Sequence, residues 1–232
     1  MSDHLLLVHG AWHSGSGFAA LQKELTKFDI DSSTVELTSV ASIDQPIGDM
    51  YQDAALVAEK VKEIGRDCYV LGHSYGGLPI TEGLSESPYV RGLIYLTAFV
   101  LDHGETLYAA CGSQDPEWWR RDSEDLRVTP ADPERIFYNT CPADVAQIAS
   151  RQLRTQSLIS FNQPITHTAW KTVPSAYIMC EKDNAIPVFA QEAMSKRCSS
   201  IFRLSTDHSP FLGEPALLAR ILREIIEGQI IN

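Results

Sequence analysis

The chain has 232 residues, 44% hydrophobic and 21% charged, which suffices for one sizeable core and excludes a wholly disordered protein. Its formal net charge of −11 excludes the basic face that nucleic acids and anionic membrane surfaces demand of a partner. No apolar run approaches the roughly 18 residues of a membrane span, and nothing before Leu5 has the basic segment of a signal peptide.

Residues 5–9 read as the first strand, nearly continuous in apolar character, followed by a helical period over 18–27. A strand over 33–37, a helix over 49–64 and a strand over 68–72 come next. A helix over 78–85 and a strand over 92–97 complete the first half. The second half resumes with a strand over 176–180, a helix from Pro187 to 197, a strand over 200–204 and a helix from Pro215 to 227. Strands apolar on both faces, alternating with amphipathic helices, predict an α/β fold: a doubly wound, mostly parallel sheet.

Between the halves the alternation lapses. Residues 104–166 show no strand-like run and are rich in Pro, Trp, Arg, Asp and Glu. Helical patterns are read over 144–153, with short helices over 116–121 and 133–138. A segment this long is no bare loop. The expectation is a small helical cap over 104–166, on a core made of 1–103 and 167–232.

Gly72-His73-Ser74-Tyr75-Gly76-Gly77 places G-x-S-x-G directly after a strand and before a helix. That is the setting of a nucleophile elbow, where flanking glycines let strand and helix backbones approach. His9-Gly10-Ala11 closes the first strand, and its backbone is expected to supply a second oxyanion donor. The two donors are assigned to the N–H groups of Ala11 and Tyr75. His9 and His13 straddle a glycine turn, and without an H-E-x-x-H pattern they do not predict a metal site.

A serine nucleophile needs a base, and the base an orienting carboxylate, here in chain order Ser, acid, His. Of the seven histidines, His208 stands in the loop after the last strand and before the last helix, which faces the carboxyl end of the sheet. His167 leads from the cap into a strand and is the weaker candidate. For the acid, Asp183 follows a strand and precedes a Pro-started helix. Glu181 leaves the strand earlier, and Asp207 adjoins His208 too closely to reach its Nδ1. Asp102, at the neighbouring strand end, remains the competitor.

LLLVHGAWH, GHSYGG, LTAFV, EKDNAIP and DHSPFLGEP, in this order and spacing, resemble the α/β-hydrolase branch of plant methylesterases, hydroxynitrile lyases and small bacterial carboxylesterases. The resemblance covers the core on both sides of the cap. It implies Ser74, Asp183 and His208 as a catalytic triad, with Ala11 and Tyr75 as oxyanion donors. The lyases of this branch carry a Lys after the catalytic His and a Thr at the Ala11 position. Here Ser209 and Ala11 stand there, which points to ester hydrolysis.

The expected function is a serine carboxylesterase acting on small uncharged esters, with no metal or organic cofactor. Trp12, Phe99, Trp118 and Trp119 are expected to line the pocket, although cap–core packing explains them as readily. A ligand receptor that keeps the fold without turnover, and a hydroxynitrile lyase, are the alternatives. The five cysteines, odd in number and without a C-x-x-C pair, fit reduced thiols in a cytoplasmic protein. A homodimer is left open.

Overall fold

The computed structural model describes residues 3–124 and 126–228. Six parallel strands form the main sheet: β1 (His4–Val8), β2 (Asp31–Val35), β4 (Cys68–His73), β5 (Val90–Leu96), β9 (Ser175–Cys180) and β10 (Ser200–Leu204). Their spatial order is β10-β9-β5-β4-β1-β2. Strand order therefore reverses between β1 and β4, whose carboxyl ends open the crevice where ligands bind in such sheets.

Period-two alternation along β1 shows how the sheet is buried. Leu5 and Leu7 enter one core, with Leu21 and Leu25 of α1 (Ala19–Leu25) and Leu218 and Leu222 of α10 (Pro215–Glu227). Leu6 and Val8 enter the other, with Val57 and Val61 of α2 (Met50–Ile64) and Leu78 and Ile80 of α3 (Gly77–Gly83). Helices thus cover both faces. α2 begins at a capping box, in which Asp49 accepts from the Gln52 N–H and the Gln52 side chain accepts from that of Asp49. It ends at Gly65 in the left-handed region, φ 63°.

The segment 104–166 departs from the all-helical expectation. It contains helices α4 (Leu107–Ala110), α5 (Pro133–Phe137), α6 (Ala143–Arg151) and α7 (Leu158–Asn162), but also strands β6 (Trp119–Arg121), β7 (Arg127–Pro130) and β8 (Thr155–Ser157). With β3 (Val40–Ala41) these pair antiparallel in the order β3-β8-β7-β6. The helix expected over 116–121 is instead the start of this sheet. Three- and four-residue strands complete barely one in-out alternation, so they leave little periodic signal. What specifies them is tertiary: Trp119 and Val128 are buried while Arg120 and Thr129 face out. Helix α8 (Val188–Ser195) follows Pro187 and α9 (Pro210–Gly213) precedes α10. Among the described residues no helix is long and apolar enough to cross a membrane.

Candidate active site

β4 runs into a short 3-10 turn, Ser74–Gly76, and then into α3. Ser74 lies at the corner with φ 54°, a left-handed conformation that costs a non-glycine residue about 1–3 kcal/mol and persists only where its surroundings enforce it. They do so by close approach. A Cβ on Gly76 would lie 2.7 Å from the Val8 carbonyl oxygen and 2.8 Å from that of His9. A Cβ on Gly10 would lie 2.9 Å from Cβ of Ser74. The end of β1 and the elbow therefore fit together only because both positions are glycine.

His9, His13 and His73 support this corner through hydrogen bonds of their ring nitrogens. The His9 Nε2 accepts from the Leu37 N–H at 3.1 Å, leaving Nδ1 to donate to the Gly10 carbonyl at 2.9 Å. His13 Nδ1 donates to the Ala11 carbonyl at 2.7 Å, and its Nε2 accepts from the Tyr138 hydroxyl at 2.9 Å. His73 Nε2 donates to the backbone carbonyl of His208 at 2.9 Å. Burial holds the imidazoles of His9 and His73 below the usual histidine range, and pushes His13 down to about 3. All three are neutral struts.

The loop after β10 carries His208, and the loop after β9 carries Asp183. His208 Nδ1 lies 2.7 Å from Asp183 Oδ2. The same carboxylate accepts from the Thr97 hydroxyl and from the N–H groups of Ala185 at 2.6 Å and Ile186 at 2.9 Å. Four donors thus hold one buried carboxylate in place.

The competing acids are engaged elsewhere. Asp102 pairs with Lys171 near the surface, and that ammonium holds its carboxyl below the usual range. Asp207 accepts from the Thr140 N–H at 2.7 Å and the Ser209 N–H at 3.0 Å, tying the His208 loop to segment 104–166. Glu181 faces Arg203 at 3.5 Å on an exposed surface. His167 meets Glu82 at 3.0 Å, with an exposed ring.

Ser74, His208, Ala11 and Tyr75 line one cavity together with Trp12, Phe99, Trp118 and Trp119. Asp183 stands behind His208. Every site residue expected from the sequence is therefore brought to one place. Phe137 and Phe161 also line it, and neither had been anticipated. Phe161 stacks on Trp119 at 4.9 Å between centroids, and Phe137 stacks on Trp12 at 5.6 Å. Phe137 and Phe161 both lie in segment 104–166, outside the stretches that carry the resemblance. The lining contains no Lys, Arg, Asp or Glu.

A buried polar network lies beneath the elbow. Tyr75 donates its hydroxyl to Asp53 at 2.8 Å, and Asp53 also accepts from the Thr38 hydroxyl at 2.8 Å and the Ser39 N–H at 3.1 Å. Burial pushes the Asp53 carboxyl up, against these hydrogen bonds. The Gln156 amide donates to the Ser39 hydroxyl at 2.9 Å, so the network links α2, the elbow and β8.

The family model described as the alpha/beta hydrolase family matches residues 5–221. The chain is 29% identical to the alpha/beta hydrolase nvfD of Aspergillus novofumigatus, over 94% of both chains. It is 23% identical to methylesterase 2 of Arabidopsis thaliana, over 97% of both. Its fold matches the crystal structure of a pyrethroid hydrolase from Sphingobium faniae with a TM-score of 0.85, at 23% identity over 98% of both chains.

Proposed function

The chain belongs to the alpha/beta hydrolase family, and on that premise we propose that it is a carboxylesterase-type serine hydrolase cleaving small uncharged esters through an acyl-enzyme. The observation that carries this reading is the Ser74 corner opening on the same cavity as His208, whose Nδ1 is hydrogen-bonded to buried Asp183. Relatives named as methylesterases and as a carbendazim hydrolyzing esterase support it.

In this reading His208 donates Nδ1–H to Asp183, which leaves Nε2 unprotonated and turned to the reaction. Nε2 takes the Ser74 proton as Oγ attacks the ester carbonyl. The N–H groups of Ala11 and Tyr75 receive the oxyanion. The imidazolium, stabilised by Asp183, then protonates the departing alcohol, and water attacks the acyl-enzyme by the reverse route. Segment 104–166 acts as the cap that excludes bulk water. No step calls for a metal or an organic cofactor.

The apolar lining favours an uncharged substrate, since a carboxylate or ammonium would lose its hydration without gaining a partner. It also speaks against cyanohydrin cleavage. Departing cyanide needs a fixed cation beside the triad, and Ser209 follows His208 where a lysine would stand. A fluorophosphonate probe should phosphonylate Ser74 and stop ester turnover. Labelling at another residue, or unimpaired turnover of the labelled enzyme, contradicts the reading.

A further inference from the structure

The enclosed space around Ser74 is small. Its volume is about 40 Å³, room for about three waters. It does not end there. Phe99, Cys111, Pro116, Trp118, Ala185 and Ile186 line the cavity and also an outer groove of about 530 Å³. Phe99, Ala110, Phe189 and Ala190 of that groove in turn line a further depression of about 410 Å³, which runs along α4 and α8. Inner cavity and outer groove adjoin across the six residues they share, and Phe99 borders all three spaces.

The side on which the groove opens identifies what it holds. Ala185 and Ile186 follow Asp183 by two and three residues, and their N–H groups bind the carboxylate that orients His208. The groove therefore leaves the cavity on the acid-base side. An ester under attack presents its alcohol to His208, which must protonate it, and turns its acyl group to the opposite wall. The stacked pair Trp119 and Phe161 lines the cavity without bordering the groove.

Phe189 is 75% exposed at the groove's edge, the most exposed large apolar side chain among the described residues. It stands one residue into α8, where solvation would favour a polar side chain. Arg197, at the far end, is tied bidentately to Glu105 at 2.6 and 2.8 Å. Asp115 is likewise paired with Arg121 at 2.6 Å. The groove therefore offers apolar surface in which the charges of Arg197 and Asp115 are paired, and Glu117, Gln114 and Asn184 also line it.

We propose that the groove between α4 and the start of α8, edged by Phe189, is the binding subsite for the alcohol half of the substrate, and that this half is a large uncharged apolar group. The inner cavity then takes a short acyl chain. The proposal rests on the esterase reading above and revises its small ester on one side only: small acid, bulky alcohol.

The test is a matrix of esters on the full chain. One series holds the acyl group at acetyl and varies the alcohol from ethyl to hexyl, benzyl and phenoxybenzyl. The other holds ethanol and lengthens the acid from acetyl to octanoyl. Wild type should gain at least about tenfold in kcat/KM along the alcohol series and lose along the acid series. Phe189→Ala should raise KM for phenoxybenzyl acetate about five- to tenfold and leave ethyl acetate within twofold. Ala110→Trp, on an exposed position, should fill the groove and abolish the gain for bulky alcohols alone. An acid series preferred over the alcohol series, or variants that change both series equally, would overturn the subsite while leaving the esterase reading intact. Failure of wild type to hydrolyse any member would overturn both.

Discussion

His208 and Asp183 meet at 2.7 Å between Nδ1 and Oδ2, with side chains 2% and 0% exposed. In such a site water cannot substitute for the carboxylate, because none reaches the imidazole from that side. Asp183→Asn presents an amide at the same place and removes the acceptor that selects the Nδ1–H tautomer. We expect kcat to fall by about a thousandfold or more, with KM little changed. Asp102→Asn, which weakens the surface contacts with Lys171 and the His103 N–H, should cost less than about threefold. Steady-state kinetics on both variants checks the ranking.

The glycines at the elbow are steric requirements. Gly76→Ala must displace the backbone at Val8 and His9, because its Cβ would fall 2.7 and 2.8 Å from their carbonyl oxygens. A shift of this kind misaligns Ser74 and the Ala11 loop together, and should cost about a hundredfold in kcat. Gly17→Ala, whose Cβ meets only Phe211 at an ordinary 3.7 Å, should leave kcat within twofold. Equal effects in the two variants would show that the elbow tolerates rearrangement.

Both halves of that corner were legible in the sequence, because G-x-S-x-G between a strand and a helix is a local pattern with a local steric cause. The main sheet was legible for a similar reason: Leu5 to Val8 and Ala176 to Cys180 are buried on both faces and read as unbroken apolar runs. Asp183 was distinguished from Asp102 by loop placement, and only the structure shows Asp102 occupied by Lys171. The sheet in segment 104–166 was not legible. Trp119–Arg121 is held by pairing with Arg127–Pro130, a relation no three-residue window contains. Phe161 was missed because its role comes from stacking on Trp119, far away in sequence.

The two adjacent tryptophans should separate by function. Trp119 is 6% exposed and packs on Phe161 and Trp12. Trp119→Ala should lower stability by about 3 kcal/mol or more through the cavity it leaves. Trp118 is only half-buried and borders both the cavity and the outer groove. Trp118→Ala should shift selectivity among esters with a smaller loss of stability. Denaturant midpoints and a paired-substrate kcat/KM ratio measure the two effects.

Acid should destabilise the fold before carboxylates titrate. His13 is pushed down to about 3 by burial, and burial lowers His73 and His9 in the same direction. In the unfolded chain each takes a proton near 6.5, so below that pH the unfolded state binds more protons. Stability is fully present above about pH 6.5 and is lost as pH falls from there toward the folded values, each histidine contributing up to about 1.4 kcal/mol per pH unit. Denaturant unfolding at pH 7.5, 6 and 5 should show the decline, and His13→Gln should make it shallower. Unchanged stability across that range would mean that the buried imidazoles accept protons in place.

The central claim is that Ser74 carries the acyl group. Mixing the enzyme rapidly with p-nitrophenyl acetate and following both nitrophenolate release and the mass of the quenched chain tests it directly. The account predicts an acetyl adduct on the Ser74 peptide, formed no more slowly than steady-state turnover, and loss of both adduct and turnover in Ser74→Ala. Turnover that survives Ser74→Ala, or an adduct on another residue that forms fast enough to account for turnover, would contradict it.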